Sequence, residues 1–195
     1  MPRGRPRQFD EDAAINAAMQ VFWQKGLAAT SLDDLADAMQ MNRPSIYNAF
    51  GGKEDLYRTS LARFCGQLDQ GLASTMADDI DLRTGLLGFY EQAIEVYCGH
   101  HPAMGCLMIC TAPAAALQNP EVGKDLRQLI QRLDQALAAR LALAQQQGQL
   151  DPHLDVAQTA KLLQATLQTI ALRARAGERK SSLRKLAAHA VASLI

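Results

Sequence analysis

Along most of the chain, apolar residues recur at intervals of three and four, the spacing that gathers them on one side of a helix. Ala14, Ile15, Ala18, Val21 and Phe22 form the first such face. Asp10 is its candidate N-cap, and Glu11 and Asp12 fall where the helix dipole favours anions. Gly26 is expected to stop this helix. Ser31 is the expected cap of a second, with Leu32, Leu35, Ala36 and Met39 at i, i+3, i+4 and i+7. Asn42 caps a third, short helix, where Pro44 is tolerated because first-turn N–H groups have no intrahelical partner; Gly51 and Gly52 end it. A fourth starts at Lys53 and carries Leu56, Leu61, Phe64, Leu68 and Leu72. Five more are predicted near residues 82–98, 104–117, 121–147, 153–176 and 180–194, punctuated by Gly99 to Pro102, Asn119-Pro120, Gly148 to Pro152 and Gly177. No segment alternates apolar and polar residues, and Ala, Leu and Gln dominate, so the predicted fold class is all-α with about nine helices.

Composition adds two constraints. With 48% hydrophobic and 21% charged residues the chain can build a packed core. Lys+Arg and Asp+Glu are both 20, so any anionic partner must be met by locally concentrated charge rather than by a basic coat. Such a concentration occurs at the start, where Arg3, Arg5 and Arg7 precede the first acid, Asp10. The basic start is followed by a polar helix and not by the apolar run of a signal peptide, and no stretch approaches the roughly 20 apolar residues of a membrane span. Four cysteines make no disulfide scaffold in a chain of this length. Together these features lead us to expect a cytoplasmic protein with reduced thiols and no membrane partner.

The second and third helices are about two turns each and separated by a few residues, as in a helix-turn-helix whose second helix enters the major groove of double-stranded DNA. Ordinary packed helices are the competing reading of the same spacing. Arg43 can donate two bonds to a guanine edge, Ser45 can read a base or a phosphate, and Tyr47 and Asn48 suit phosphates. Lys53, at a helix start, is expected to hold a further phosphate. Thr30, Ser31, Asn42 and Pro44 complete the expected DNA-facing set. Arg3-Gly4-Arg5-Pro6-Arg7 reads as a minor-groove hook, against the alternative of an inert charged tail. The expected organisation is a basic arm over residues 1–8, a DNA-binding domain over 9–52, and a helical C-terminal domain over 53–195.

The run from Gly26 through Thr30-Ser31-Leu32-Asp33-Asp34-Leu35-Ala36 to Ser45-Ile46-Tyr47-Asn48-Ala49-Phe50-Gly51-Gly52-Lys53-Glu54-Asp55-Leu56 resembles the DNA-binding domain of the TetR family. The resemblance covers residues 9–57, and the later helices match in number and order. It implies nine helices, a homodimer built by the last two, and an effector cavity in the C-terminal domain. Gln40 stands where that family usually has glycine, so it is expected in a left-handed turn. Asn42 stands where serine is frequent, and Gly52 replaces a Ser or Asn cap.

Phe64, Cys65, Leu68, Phe89, Tyr90, Tyr97, Met104, Cys106, Leu107, Thr111 and Leu133 are the candidate cavity lining for an unknown small-molecule effector, with plain core packing as the alternative. Gly105-Cys106-Leu107 resembles a sequence found in a subset of the family. It places Cys106 near a helix N-terminus, which would lower its pKa; the alternative is an inert buried thiol. His100 and His101 are adjacent and point apart, and no Cys-x-x-Cys pair supports them, so neither a metal nor a cofactor is expected. Arg173, Arg175, Arg179, Lys180, Arg184 and Lys185 read as a solvated basic corner. Val156, Ala160, Leu163, Leu167 and Ile170, with Leu183, Leu186, Ala187, Ala190 and Val191, are the expected dimer interface.

No nucleophile turn, phosphate loop or metal cluster points to an enzyme. The expected function is a sequence-specific DNA-binding regulator, a repressor released from its operator by a small effector. A Cys106-based electrophile or redox sensor and a DNA-binding protein without an effector are the alternatives.

Overall fold

The structure is a computed structural model that describes residues 10–195. The arm with Arg3, Arg5 and Arg7 lies outside the described residues. The chain divides into two compact units, one ending at Ala62 and one of Arg63–Ile195. The described secondary structure is helical throughout, in nine helices.

In the first unit, α1 (Glu11–Ala29) is capped by Asp10, whose carboxylate accepts from Ala13 N at 3.0 Å. Gly26 interrupts it as expected: with φ +72° and ψ 173° it leaves the helical backbone, and a short second segment runs on across the kink to Ala29. α2 (Leu32–Met39) opens with a capping box: the Ser31 hydroxyl accepts from Asp34 N, and the Asp34 carboxylate accepts from Ser31 N. Lys25 adds an ion pair to Asp34 at 2.7 Å, and these bonds hold the Asp34 carboxyl down at about 2. α2 ends at Gln40, which takes the expected left-handed conformation (φ 52°, ψ 39°) and turns its N–H back to Ala36 and Asp37. α3 (Arg43–Phe50) is capped by Asn42, which accepts from Ser45 N at 2.8 Å. Phe22, Trp23, Leu35, Ile46, Leu56 and Tyr57 are at most 3% exposed, and Phe22 meets Tyr57 edge-on at 5.1 Å. α4 (Lys53–Thr75) completes the first unit and begins the second.

The second unit continues with α5 (Leu82–Tyr97), α6 (Leu107–Ala116), α7 (Pro120–Gln146), α8 (Val156–Arg175) and α9 (Lys180–Leu194). α7 lies against α6 and α8, and α9 against α8 and α5. α6 starts three residues later than its apolar pattern suggested. Gly105 has φ +68° and Cys106 is extended, so the helix opens only at Leu107. The basic corner is structural. Arg184 forks onto Glu91 and reaches Glu95, Lys180 pairs with Glu95 at 2.6 Å, Arg173 pairs with Glu178, and Arg175 donates to the Met104 carbonyl.

The last two helices correct one expectation. Ala160, Leu163, Leu167 and Ile170 of α8 and Leu183, Ala187 and Val191 of α9 are buried inside the protomer, at most 3% exposed. They hold α8 and α9 onto the rest of the second unit, where the protomer itself covers them. Val156, Leu186 and Ala190 are half-buried. The face left open on α8 runs through Gln158, Leu162, Ala165, Thr169 and Leu172 at helical spacing.

Candidate nucleic-acid interface and effector cavity

Ile46 sets the orientation of α3. It is fully buried, so the opposite side of this two-turn helix must face out. Arg43, Pro44, Tyr47 and Asn48 lie on that side and are exposed, Ser45 is half-buried at its edge, and Asn42 is exposed with its amide oxygen committed to the cap. Ser31 is exposed at the start of α2.

The structure places three of the expected contact residues differently. Thr30 is 2% exposed and its hydroxyl donates to the Gly26 carbonyl, so its side chain faces inward. Lys53 is half-buried and its ammonium donates to the Thr30 carbonyl at 2.9 Å, tying the start of α4 to the end of α1. Arg43 is exposed but engaged: Nε and Nη2 grip the Asp33 carboxylate at 2.8 and 2.5 Å. That carboxylate raises the Arg43 pKa, and it occupies the same guanidinium fork that a guanine edge would take.

In the second unit, an enclosed cavity is lined by Leu68, Tyr97, Cys106 and Leu133 from the expected set. Ile109, Leu129, Ile130, Gln164, Leu167 and Gln168 complete it. Its volume is about 10 Å³, room for about one water. Phe64, Leu68 and Phe89 line a separate shallow pocket with Gln67, Gln92 and Val96. Cys65, Tyr90, Met104, Leu107 and Thr111 are buried but line neither space. Two of the expected polar anchors are already used: Tyr90 donates to the Leu163 carbonyl at 2.7 Å, and Thr111 to Leu107 at 2.6 Å.

Gln164 and Gln168 were missed as cavity residues. Gln164 is 5% exposed, donates to the Ile130 carbonyl and accepts from Gln168. Its signal was present in the sequence: a glutamine on the otherwise apolar α8 stripe of Ala160, Leu163, Leu167 and Ala171.

Cys106 is the N-cap of α6, as its sequence position suggested, yet its thiol is not activated. It is 2% exposed, and burial pushes its pKa up to about 12, outweighing the N–H groups of Ile109 and Met108 that favour the thiolate. Burial likewise pushes Cys65 up to about 11 and raises Cys98 and Cys110. Iodoacetamide at neutral pH is therefore expected to spare Cys106 and Cys65 until the protein unfolds, with half-buried Cys98 and Cys110 reacting first; mass spectrometry of the native protein checks this. Rapid labelling of Cys106 would contradict the buried site.

Two short helices joined through a left-handed turn, the second locked by one buried isoleucine with its polar side outward, define a helix-turn-helix of the DNA-reading kind. Comparison with known proteins agrees. Residues 14–59 match the model of bacterial regulatory proteins of the tetR family, and residues 84–190 that of the tetracyclin repressor-like C-terminal domain. The HTH-type transcriptional repressor ComR of Escherichia coli (strain K12) is 30% identical over 185 residues, 94% of this chain and 87% of ComR. BdcR, an HTH-type transcriptional repressor of the same strain, is 34% identical over 106 residues, 54% of each chain. Among solved structures, a cysteine variant of the TetR family regulator CifR in complex with 26-bp double-strand operator DNA superposes with a TM-score of 0.90. It is 26% identical, covering 97% of this chain and 99% of that one.

The chain belongs to the TetR family of bacterial transcriptional regulators. It is a DNA-binding regulator and not an enzyme. Among the described residues no helix is long and apolar enough to cross a membrane.

Proposed function

We propose that the protein is a cytoplasmic repressor that binds double-stranded operator DNA as a homodimer and is released by a small effector entering the second unit. The observation that carries the DNA-binding part is the outward side of α3, where Arg43, Pro44, Tyr47 and Asn48 are exposed together behind buried Ile46. The names of ComR and BdcR as repressors and the operator complex of CifR support it. The enclosed cavity is nearly full, so an effector enters that cavity only by displacing helices. α4 is the continuous helix through which such a displacement reaches the reading head.

Asp33 is part of this reading. Its carboxylate holds the Arg43 fork in the free protein. Asp33→Ala is expected to tighten binding to all DNA by removing a like charge, and to operator most, because it also frees the base-reading guanidinium. Arg43→Ala is expected to lose about 1–3 kcal/mol of discrimination between operator variants. Fluorescence anisotropy against a set of operator variants checks both. Uniform weakening on every sequence by Arg43→Ala would show that Arg43 holds phosphate and reads no base.

A further inference from the structure

A second space in the Arg63–Ile195 unit has the size of a small ligand. It is the open groove between α4 and α7, about 460 Å³, and Leu133 forms a wall common to it and to the enclosed cavity. Its sides are mostly apolar, with Leu72, Met76, Leu133 and Leu143 among them. Arg140 also lines it. This arginine is 6% exposed, and its Nη2 donates to the Ile80 carbonyl in the segment after α4. Its Nε and Nη1 are buried with no hydrogen-bond partner. Asp78 lines the same groove, is exposed, and satisfies neither nitrogen. Asp69 is likewise exposed and lies 3.7 Å from Arg132.

A guanidinium cannot shed its charge at neutral pH, and burying it with donors unmet is costly unless an anion meets it. A methionine or leucine on this α7 stripe, among Leu133, Leu137, Leu141 and Ala144, would fill the volume without that cost. We propose that the groove is an effector site for an organic monocarboxylate. The apolar body lies along Leu72, Met76, Leu133 and Leu143, and the carboxylate accepts from the Arg140 nitrogens that the fold leaves unpaired. A single charge fits better than a phosphate because Asp69 and Asp78 stand on the same groove and repel a dianion. Since the unpaired nitrogens are covered, the acid reaches them as Arg140 turns toward the groove and loosens its hold on Ile80. Binding therefore strains the end of α4, the helix whose start lies beside the recognition helix in sequence. The proposal rests on the reading of this chain as an effector-released repressor, to which it adds the place and the chemical class.

Octanoate and octanol share a chain and differ in charge. In thermal shift and calorimetry on the full chain, octanoate is expected to stabilise the protein at millimolar concentration, and octanol to need at least about tenfold more. In Arg140→Met that gap closes while octanol still binds. In Arg140→Lys, which keeps the charge and can still reach the Ile80 carbonyl, a preference for the acid persists, so a misfolded methionine variant does not decide the matter. Equal binding of acid and alcohol by the unaltered protein, a gap that survives Arg140→Met, or no binding of octanoate at all overturns the site. Anisotropy of labelled operator separates the two readings. Octanoate that binds through Arg140 without releasing operator contradicts effector release and leaves the carboxylate site standing. Release by octanoate that both variants keep unchanged supports effector release and removes this site.

Discussion

Alanine at Gly105 is expected to destabilise the protein by about 3 kcal/mol or more. Two costs add. Gly105 has φ +68°, a conformation in which an L side chain stores about 1–3 kcal/mol of strain. A Cβ built there would also collide with the Ala171 carbonyl oxygen and lie 2.9 Å from Cys110 Sγ. The carbonyl belongs to α8 and cannot yield without moving that helix, and overpacking of this kind costs about 1–3 kcal/mol more. The same segment turns both Met104 N and Gly105 N to the Tyr97 carbonyl and lets Cys106 open α6, so the damage reaches the cavity wall. Urea unfolding measures the loss. Gly66→Ala is the control: it lies inside α4 with nothing within 4 Å of its would-be Cβ, and is expected to stabilise slightly, by about 0.5–1 kcal/mol. A Gly105→Ala protein as stable as the parent would mean that α6 does not start against α8 as described.

Leu162→Glu is expected to yield a folded monomer with operator affinity reduced by about a hundredfold or more. Leu162 and Leu172 are 53% and 54% exposed on the open face of α8, in line with Ala165 and Thr169. Two large apolar side chains exposed on one face of α8 are what the proposed homodimer would cover. A glutamate there meets water in the monomer and is buried unpaired only in the dimer, so the cost falls on association. Losing the dimer loses the simultaneous grip on two half-sites, an effective-concentration advantage of about 10²–10⁴. Val191→Glu makes the contrast: Val191 is fully buried within the protomer, so this variant is expected to lose its cooperative melt and not merely its partner. Ultracentrifugation with circular dichroism separates the two. A Leu162→Glu protein that sediments as a dimer places the interface elsewhere.

These contrasts show what periodicity conveys and what it leaves out. Local chemistry was legible. Ser31 as a helix cap, Asn42 before a first-turn proline, and Gln40 in a glycine-like position each have a backbone consequence confined to a few residues, and each appears as expected. The apolar stripes of α8 and α9 were also legible as stripes, but a stripe does not name its neighbour. Leu163 and Val191 face their own protomer because α5 and α7 cover that side, a fact set by packing between distant segments. Cys106 sits at the helix start its sequence position indicated, yet burial, which no short motif encodes, dominates its chemistry. Thr30 and Lys53 look like DNA contacts when read along the chain. Folding brings the ammonium to the Thr30 carbonyl across 23 residues. Arg140 left a trace that composition hid: one cation among four basic residues of α7, standing on its apolar stripe.

Selection from random double-stranded DNA followed by sequencing tests the central claim most directly, because it asks at once whether the chain reads sequence and whether it reads as a pair. The expected result is an enriched inverted repeat whose half-sites are spaced by about one helical turn or a multiple of it, bound by two protomers. A pool that stays random, or a single asymmetric site bound by one protomer, would contradict it.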